Sequence, residues 1–119
     1  MVHAFDIDPD CVKVSLENAR RNGVDSLVEF SRKDLTKLKP VKKPQFDVIC
    51  ANLEFSLLMA ESGKIDSRLR PGGALILAGI LMRQFSPIRK HYIALGYKLI
   101  ADKVLGEWRS GAFVKALTV

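Results

Sequence analysis

The sequence contains no apolar run that approaches the roughly 18 residues needed to cross a lipid bilayer. Its first residues show no basic segment followed by an apolar one, so it predicts no signal peptide. The two cysteines, Cys11 and Cys50, stand far apart without metal-ligand spacing, which predicts reduced thiols and no metal site. Internal repeats and low-complexity segments are also missing. Together these absences predict a cytoplasmic protein that does not associate with membranes.

The residues that are present are typical of one soluble globular domain, which we expect to span 1–119. Its 119 residues suffice for one hydrophobic core, and 48% hydrophobic with 27% charged residues exclude a disordered chain. The net charge of +6 and the pI of about 9.6 favour a polyanionic partner such as RNA or the ribosome, although solubility alone would explain them. Apart from one small cluster, the basic residues are scattered. That cluster comprises Lys37, Lys39, Lys42 and Lys43.

Strand and helix signals alternate along the chain. Apolar runs and turn residues predict six strands, at Val2–Phe5, Leu27–Ser31, Phe46–Ala51, Ala74–Ala78, Tyr97–Val104 and Ala112–Thr118. Helical spacing predicts helices from Pro9 to about Asn22, from Phe55 to Arg68 and from about Met82 to Leu95, with a turn at 70–73. This β-α-β-β-α-β-α-β-β order predicts an α/β fold with a mostly parallel sheet covered on both faces. The last two strands should form an antiparallel hairpin around residues 105–111.

The Phe46–Ala51 strand and the residue after it are the centre of the functional reading. The continuous apolar run predicts a strand buried on both faces, and ligands of open α/β sheets bind beyond the carboxyl ends of such strands. Asn52 stands at that end and could orient an amine substrate, or it could simply bond the neighbouring backbone. Glu54 could act as a general base or only as an acid in the first turn of a helix. For Trp108, packing in the hairpin loop is the expectation.

Two acids follow the first two strands. Asp6 at the end of the first strand could accept hydrogen bonds from both hydroxyls of a ribose, as acids at this position do in nucleotide-binding α/β folds. The alternative is that it only helps to cap the following helix, although Asp8 is better placed for that role. Asp34 after the second strand could accept from an adenine amine, but acids are also common in loops.

Five segments, taken in order and spacing, resemble class I S-adenosylmethionine-dependent methyltransferases. They are Ala4–Pro9, Asn18–Gly23, Phe46–Leu53, Leu69–Gly73 and Ala78–Leu81. Within that class, Gly79-Ile80-Leu81 and Glu107-Trp108 are most similar to the bacterial enzymes that methylate a large-subunit ribosomal protein on amines. The resemblance implies a Rossmann-like fold, S-adenosylmethionine as cofactor and a protein substrate, ribosomal in that branch.

The resemblance also assigns roles to individual positions. It implies that Asp6 holds the ribose of the cofactor, that Asp34 lies near the adenine, and that Ile7 and Leu35 also belong to the cofactor-binding residues. Asn52 would contact the cofactor and act as the catalytic residue close to the transferred methyl group. Methyl transfer from a sulfonium is an in-line displacement, so alignment of a neutral amine supplies much of the acceleration. Glu54 replaces the small or apolar residue expected there, which leaves the identity of the acceptor open.

The sequence departs from this family in one large respect. Family members begin with a strand and a glycine-rich loop that approaches the methionine part of the cofactor, whereas this sequence starts one strand later and lacks both. We therefore expect a fragment, a truncated reading frame or a decayed homologue that binds the cofactor weakly by itself. The first and third strands would expose unpaired edges. Either those strands pair directly, or a second copy or a separate N-terminal segment covers them, and we favour a homodimer.

Two other functions remain open on the sequence alone. A non-catalytic module could keep the methyltransferase fold and bind a protein or RNA partner; cofactor binding would separate it from the enzyme. A fragment of a nicotinamide-dependent dehydrogenase would also use Asp6 for a ribose. The antiparallel hairpin at the C-terminal end argues against the dehydrogenase, because its sheet is usually parallel throughout.

Overall fold

The computed structural model describes residues 1–117, which divide into two compact units, Met1–Leu38 and a second unit that begins at Lys39. The N-terminal unit contains β1 (Val2–Asp6), α1 (Pro9–Arg21) and β2 (Val28–Arg32), with short 3-10 turns at Asp25–Leu27 and Leu35–Lys37. The C-terminal unit contains β3 (Phe46–Asn52), α2 (Phe55–Ala60), α3 (Ser62–Arg68), β4 (Leu69–Leu81), α4 (Met82–Ala94), β5 (Tyr97–Leu105) and β6 (Trp108–Lys115). The predicted α/β alternation is confirmed. None of the helices in residues 1–117 is long and apolar enough to span a membrane.

In the N-terminal unit, local signals in the sequence set the bounds of α1. The Asp8 carboxylate accepts a hydrogen bond from the backbone N–H of Asp10 at 2.9 Å, and Pro9 occupies the first helical turn. Gly23, with φ of +70°, follows the C-cap. The two strands of this unit pair in parallel, so their carboxyl ends lie at the same edge of a two-stranded sheet.

The other four strands form a second sheet in the order β3-β4-β6-β5. β3 and β4 are parallel, whereas β6 is antiparallel to both β4 and β5. The predicted antiparallel hairpin at the C-terminal end is thereby confirmed. β5 and β6 are joined by two residues, Gly106 and Glu107, instead of the predicted loop over 105–111. Thr118, the end predicted for the last strand, lies outside the described residues.

One face of the four-stranded sheet carries the core. Ile49, Leu75, Phe113 and Leu99 lie side by side across the four strands. Tyr92 of α4 packs against this row, its ring centroid 6.1 Å from that of Phe113. The buried side chains beside these are Leu58, Ile65, Leu69, Phe85 and Ile88. The helices of this unit therefore bury one apolar face each against the sheet.

The opposite face of this sheet is open, and the prediction that β3 is buried on both faces is wrong. Val48 is 56% exposed, Ile76 of the neighbouring strand is 39% exposed, and Cys50 is also exposed. The physical reason is that side chains alternate between faces along a strand, and the helical core residues of this unit pack on one face alone. An apolar run in the sequence therefore indicates that the strand is apolar, but it does not show whether helices cover both faces of that strand.

Two further boundaries differ from the prediction. The predicted helix from Phe55 to Arg68 is two helices, because Glu61, with φ of −105° and ψ of 13°, interrupts it. The predicted turn at 70–73 lies inside β4, where Phe46 pairs with Leu69 but Val48 pairs with Ala74. The extra residues form a bulge, in which Gly72 takes a φ of +80°.

Candidate functional site

The carboxyl ends of the parallel pair β3 and β4 meet at Asn52 and Ala78, which are register partners. Gly79 follows immediately and has a φ of +79°, a region that residues with a Cβ atom rarely adopt. A Cβ atom there would lie 2.5 Å from Oδ1 of Asn52 and 3.3 Å from the carbonyl oxygen of Leu53. The position of the Asn52 side chain therefore depends on glycine at 79.

A cavity of about 490 Å³ opens at this edge of the sheet. Asn52, Ala78 and Gly79 form its floor. Lys103 and Leu105 of β5, together with Trp108, Arg109 and Ser110 of β6, supply the rest of its lining. Its volume falls within the range of small-molecule sites, and it combines an apolar lining with a few polar groups. The cavity can hold a small polar group against the Asn52 amide, which can both donate and accept hydrogen bonds.

A second cavity of about 370 Å³ shares two lining residues with the first, Gly79 and Trp108. Glu54, Ser56 and Gln84 supply its polar groups. The carbonyl oxygen of Glu54 accepts from the backbone N–H groups of Leu57 and Leu58, but its side chain makes no capping hydrogen bond. The Glu54 carboxylate is thus an exposed negative charge at this cavity.

Trp108 is the residue that the sequence reasoning undervalued. It is 48% exposed at the start of β6, in register with Leu81 and Leu105, and it lines both cavities. Packing was the expectation for it, because its sequence position identifies only a hairpin loop. No local signal in the sequence identifies its role, because that role depends on the pairing of β6 with β4, the strand that contains Gly79.

In the N-terminal unit, Asp6 and Asp34 lie at the same edge, since they follow the carboxyl ends of parallel β1 and β2. One carboxylate oxygen of Asp6 accepts from the backbone N–H of Asp8 at 2.9 Å, and the side chain is exposed. A carboxylate has acceptor sites on both oxygens, so Asp6 retains the capacity to accept from ribose hydroxyls. Asp34 accepts from the backbone N–H of Thr36 at 2.9 Å and from its hydroxyl at 2.7 Å. It therefore caps the 3-10 turn at Leu35–Lys37.

The residues next to these acids differ in exposure. Ile7 is 56% exposed, and its carbonyl oxygen accepts from Nε of Arg32 at 2.9 Å. Leu35 is buried. An exposed apolar side chain beside an exposed carboxylate fits a nucleoside, which presents hydroxyls and a flat ring. The residues of this edge thus fit the ribose and base of a nucleoside cofactor.

Among residues 1–117, no group of three or more His, Cys, Asp or Glu side chains could hold a metal ion. Desolvation, followed by the negative charges of Asp8 and Asp6, raises the pKa of the Cys11 thiol. A raised pKa lowers the fraction of the nucleophilic thiolate. The structure brings Asp6 and Asp34 together in one unit and Asn52 to the cavity edge of the other; their convergence on one cleft stays a prediction.

Comparison with known proteins identifies a matching family model and related proteins of similar sequence. A family model described as ribosomal protein L11 methyltransferase (PrmA) matches residues 1–116. A ribosomal protein L11 methyltransferase of Desulforamulus reducens is 35% identical over 109 residues, which cover 92% of this chain and 34% of that protein. The chain thus spans about a third of that relative's length.

Solved structures repeat the same arrangement of helices and strands. A ribosomal protein L11 methylase from Lactobacillus delbrueckii superposes with a TM-score of 0.82 at 24% identity, covering 97% of this chain and 57% of that one. An RNA methyltransferase from Salinibacter ruber, in complex with S-adenosyl-L-homocysteine, gives 0.69 at 20% identity, covering 98% and 67%. These likenesses establish the Rossmann-like methyltransferase fold.

Proposed function

Because the chain belongs to the ribosomal protein L11 methyltransferase family, we propose that it forms part of an S-adenosylmethionine-dependent enzyme that methylates an amine of a ribosomal protein. The observation that carries the proposal is the cavity at the carboxyl ends of β3 and β4, lined by Asn52, Gly79 and Trp108. A strand-end amide beside an aromatic wall suits an amine acceptor, since the amide oxygen accepts from the amine and the ring packs on its alkyl chain.

The N-terminal unit supplies the residues for the cofactor. We assign Asp6 and Ile7 to the ribose and Asp34 and Leu35 to the adenine side. The exposed carboxylate of Asp6 and the exposed side chain of Ile7 support this assignment. The cofactor supplies the activated methyl group. The protein's own contribution is to hold an acceptor nitrogen in line with that group.

Two residues act on the acceptor amine. A lysine-like amine has a pKa of about 10.4 and arrives protonated at neutral pH. The exposed Glu54 carboxylate at the second cavity attracts that cation. The amine then loses its proton to solvent water, and the Asn52 amide oxygen accepts a hydrogen bond from the neutral amine and fixes the direction of its lone pair.

We further propose that this chain associates with a second copy or with an N-terminal segment, and we favour the homodimer. β3 is an edge strand of its sheet, and Val48, Cys50 and Ile76 expose apolar surface on its open face. Edge strands with exposed apolar side chains are templates for association. Contact with ribosomal RNA is supported by the net charge of +6 and by the exposed lysines at 39, 42 and 43.

Cofactor binding tests the proposal. Because the sequence lacks a glycine-rich loop, we expect S-adenosylmethionine to bind the chain more weakly than micromolar, in a range that nuclear magnetic resonance titration detects. Asp6→Asn keeps an oxygen for the N–H of Asp8 but loses the charge, and it should reduce the affinity. Asp25→Asn, an exposed acid of the same unit, is the matched control and should leave it unchanged.

Either of two results would count against the cofactor site. One is equal affinity in the two variants, and the other is chemical-shift changes confined to residues remote from Asp6 and Asn52. Transfer of a labelled methyl group to ribosomal protein, measured on the same preparations, tests the acceptor. Transfer to RNA alone would overturn the protein substrate.

A further inference from the structure

Arg109 makes an unusual set of contacts next to the tryptophan shared by the two cavities. Its Nε donates to Oδ2 of Asp102 at 2.8 Å, and its Nη2 lies 2.7 Å from the same oxygen. The centre of its guanidinium lies 4.1 Å from the centroid of the Phe85 ring. Phe85 is 1% exposed, so this ring is a fixed part of the core.

These contacts join three elements. Asp102 belongs to β5, Arg109 to β6 and Phe85 to α4. The guanidinium therefore ties both strands of the hairpin to the helix beneath them. A planar guanidinium stacked on an aromatic ring and paired with a carboxylate is held in orientation as well as in position.

Trp108 immediately precedes Arg109 and is held on both sides. Before it, the carbonyl oxygen of Glu107 accepts from the backbone N–H of Met82 at 2.9 Å. After it, the Arg109 contacts fix the strand. Because neighbouring side chains of a strand point to opposite faces, a fixed Arg109 also fixes the direction in which Trp108 projects.

We propose that Arg109 is a positioning residue for the acceptor site, which holds Trp108 as the common wall of the two cavities. This inference rests on the proposed function only in its claim that the acceptor enters there. Arg109 also lines the first cavity, but its charge is paired with Asp102, so we expect it to act on the acceptor through Trp108. The alternative, a purely stabilising role, predicts a loss of stability without any change at the indole.

Arginine is needed here for its shape and not only for its charge. Lysine keeps the positive charge but has neither the planar face that stacks on Phe85 nor the fork that reaches Asp102. Arg109→Lys should therefore behave like Arg109→Gln at Trp108. Asp102→Asn should produce a smaller change, because the stack on Phe85 remains.

The test uses the fluorescence of Trp108, which is the only tryptophan in the sequence. In Arg109→Lys and Arg109→Gln, we expect emission to shift to longer wavelength and acrylamide quenching to rise about twofold, because the half-exposed indole becomes more accessible to water once its strand is no longer held. The matched control is Arg70→Gln, which breaks the Arg70–Asp47 ion pair of 3.0 Å in the same unit. It should leave both fluorescence readouts unchanged.

Unchanged emission and quenching in Arg109→Lys, in a chain with native circular dichroism, would overturn the proposal. If Arg109→Gln does not fold, the Lys and Asp102→Asn variants decide the question by the same readouts. With ribosomal protein as acceptor, Arg109→Lys should raise KM more than it lowers kcat, with the affinity for S-adenosylmethionine unchanged. Unchanged cofactor affinity in Asp6→Asn would count against the proposed function, whereas the fluorescence result would still decide the role of Arg109.

Discussion

Oδ1 of Asn52 lies 2.5 Å from the point at which a Cβ atom of residue 79 would stand, so the amide fits only because residue 79 is glycine. Asn52 is the last residue of β3, and Gly79 lies in the parallel strand β4, one residue beyond Ala78, the register partner of Asn52. Gly79 also adopts a φ of +79°, which any other L-residue would find strained. The backbone turn and the position of the Asn52 amide therefore both depend on the residue at position 79.

The first prediction separates the clash from the backbone strain. Gly79→Ala should displace the Asn52 side chain and abolish methyl transfer, and it should cost more stability than the 1–2 kcal/mol or so of a left-handed alanine alone. Gly96→Ala is the matched control, because Gly96 has a φ of +100° but nothing lies within 4 Å of its Cβ position. Urea unfolding of both variants measures the difference between their losses of unfolding free energy. An equal loss of stability, with the Asn52 amide resonance unmoved in Gly79→Ala, would contradict the clash.

The second prediction concerns alkaline pH. Burial raises the pKa of Tyr92, and burial together with Asp66 raises that of Tyr97. Tyr92 donates to the carbonyl oxygen of Leu58 and Tyr97 to Asp66, both at 2.7 Å. Because the folded pKa values lie above the unfolded value of about 10, their contribution is complete below pH about 10 and is lost as the pH rises toward the folded values.

Ultraviolet absorbance of the phenolate measures this directly, since these are the two tyrosines of the sequence. The phenolate absorbance should begin to rise at a higher pH in the folded chain than in the unfolded chain. When both residues are replaced with phenylalanine, the unfolding free energy should decrease less steeply above pH about 10. A double variant that retains the full alkaline loss would assign the effect to the lysines instead.

Much of the fold is predictable because local signals agree with tertiary packing. Asp8 and Pro9 start α1 by capping chemistry that needs no other part of the chain. Phe85, Ile88 and Tyr92 recur at helical spacing in the sequence, and all three are buried in α4. The open face of β3 was not predictable, because an apolar run looks the same whether or not a helix covers it.

The candidate site was predictable only in part. Asn52 could be chosen because it follows an apolar strand, and strand ends are where such sheets bind ligands. The role of Gly79 depends on a distance across two strands, and that of Trp108 depends on where the hairpin returns. Neither is encoded in local spacing, so both required the structure.

The third prediction tests the acceptor charge. Glu54→Lys reverses the exposed charge at the second cavity, so it should raise KM for ribosomal protein by about fivefold, in line with a surface charge pair. Glu17→Lys, an exposed acid on α1, is the control with the same change in net charge. Steady-state methyl transfer at two salt concentrations measures the effect, which should shrink at high salt. Equal KM values in the two variants would exclude Glu54 from the acceptor site.

The fourth prediction concerns association through β3. Val48 is 56% exposed on this edge strand, where an apolar side chain favours pairing with another chain. Light scattering at micromolar concentration should give at least twice the 13.3 kDa mass of the chain. A lysine at position 48 should weaken association, because charge on an edge strand opposes contact between chains.

Val104→Lys is the matched control for Val48→Lys. Val104 is 50% exposed on β5, the edge strand at the other side of the same sheet, so the two variants change charge and apolar surface alike. If β3 is the contact, Val48→Lys should shift the mass toward 13.3 kDa while Val104→Lys remains associated. The reverse result would move the interface to β5. A monomeric, cooperatively folded chain before any substitution would exclude the homodimer, because the open face of β3 would then be stable in water.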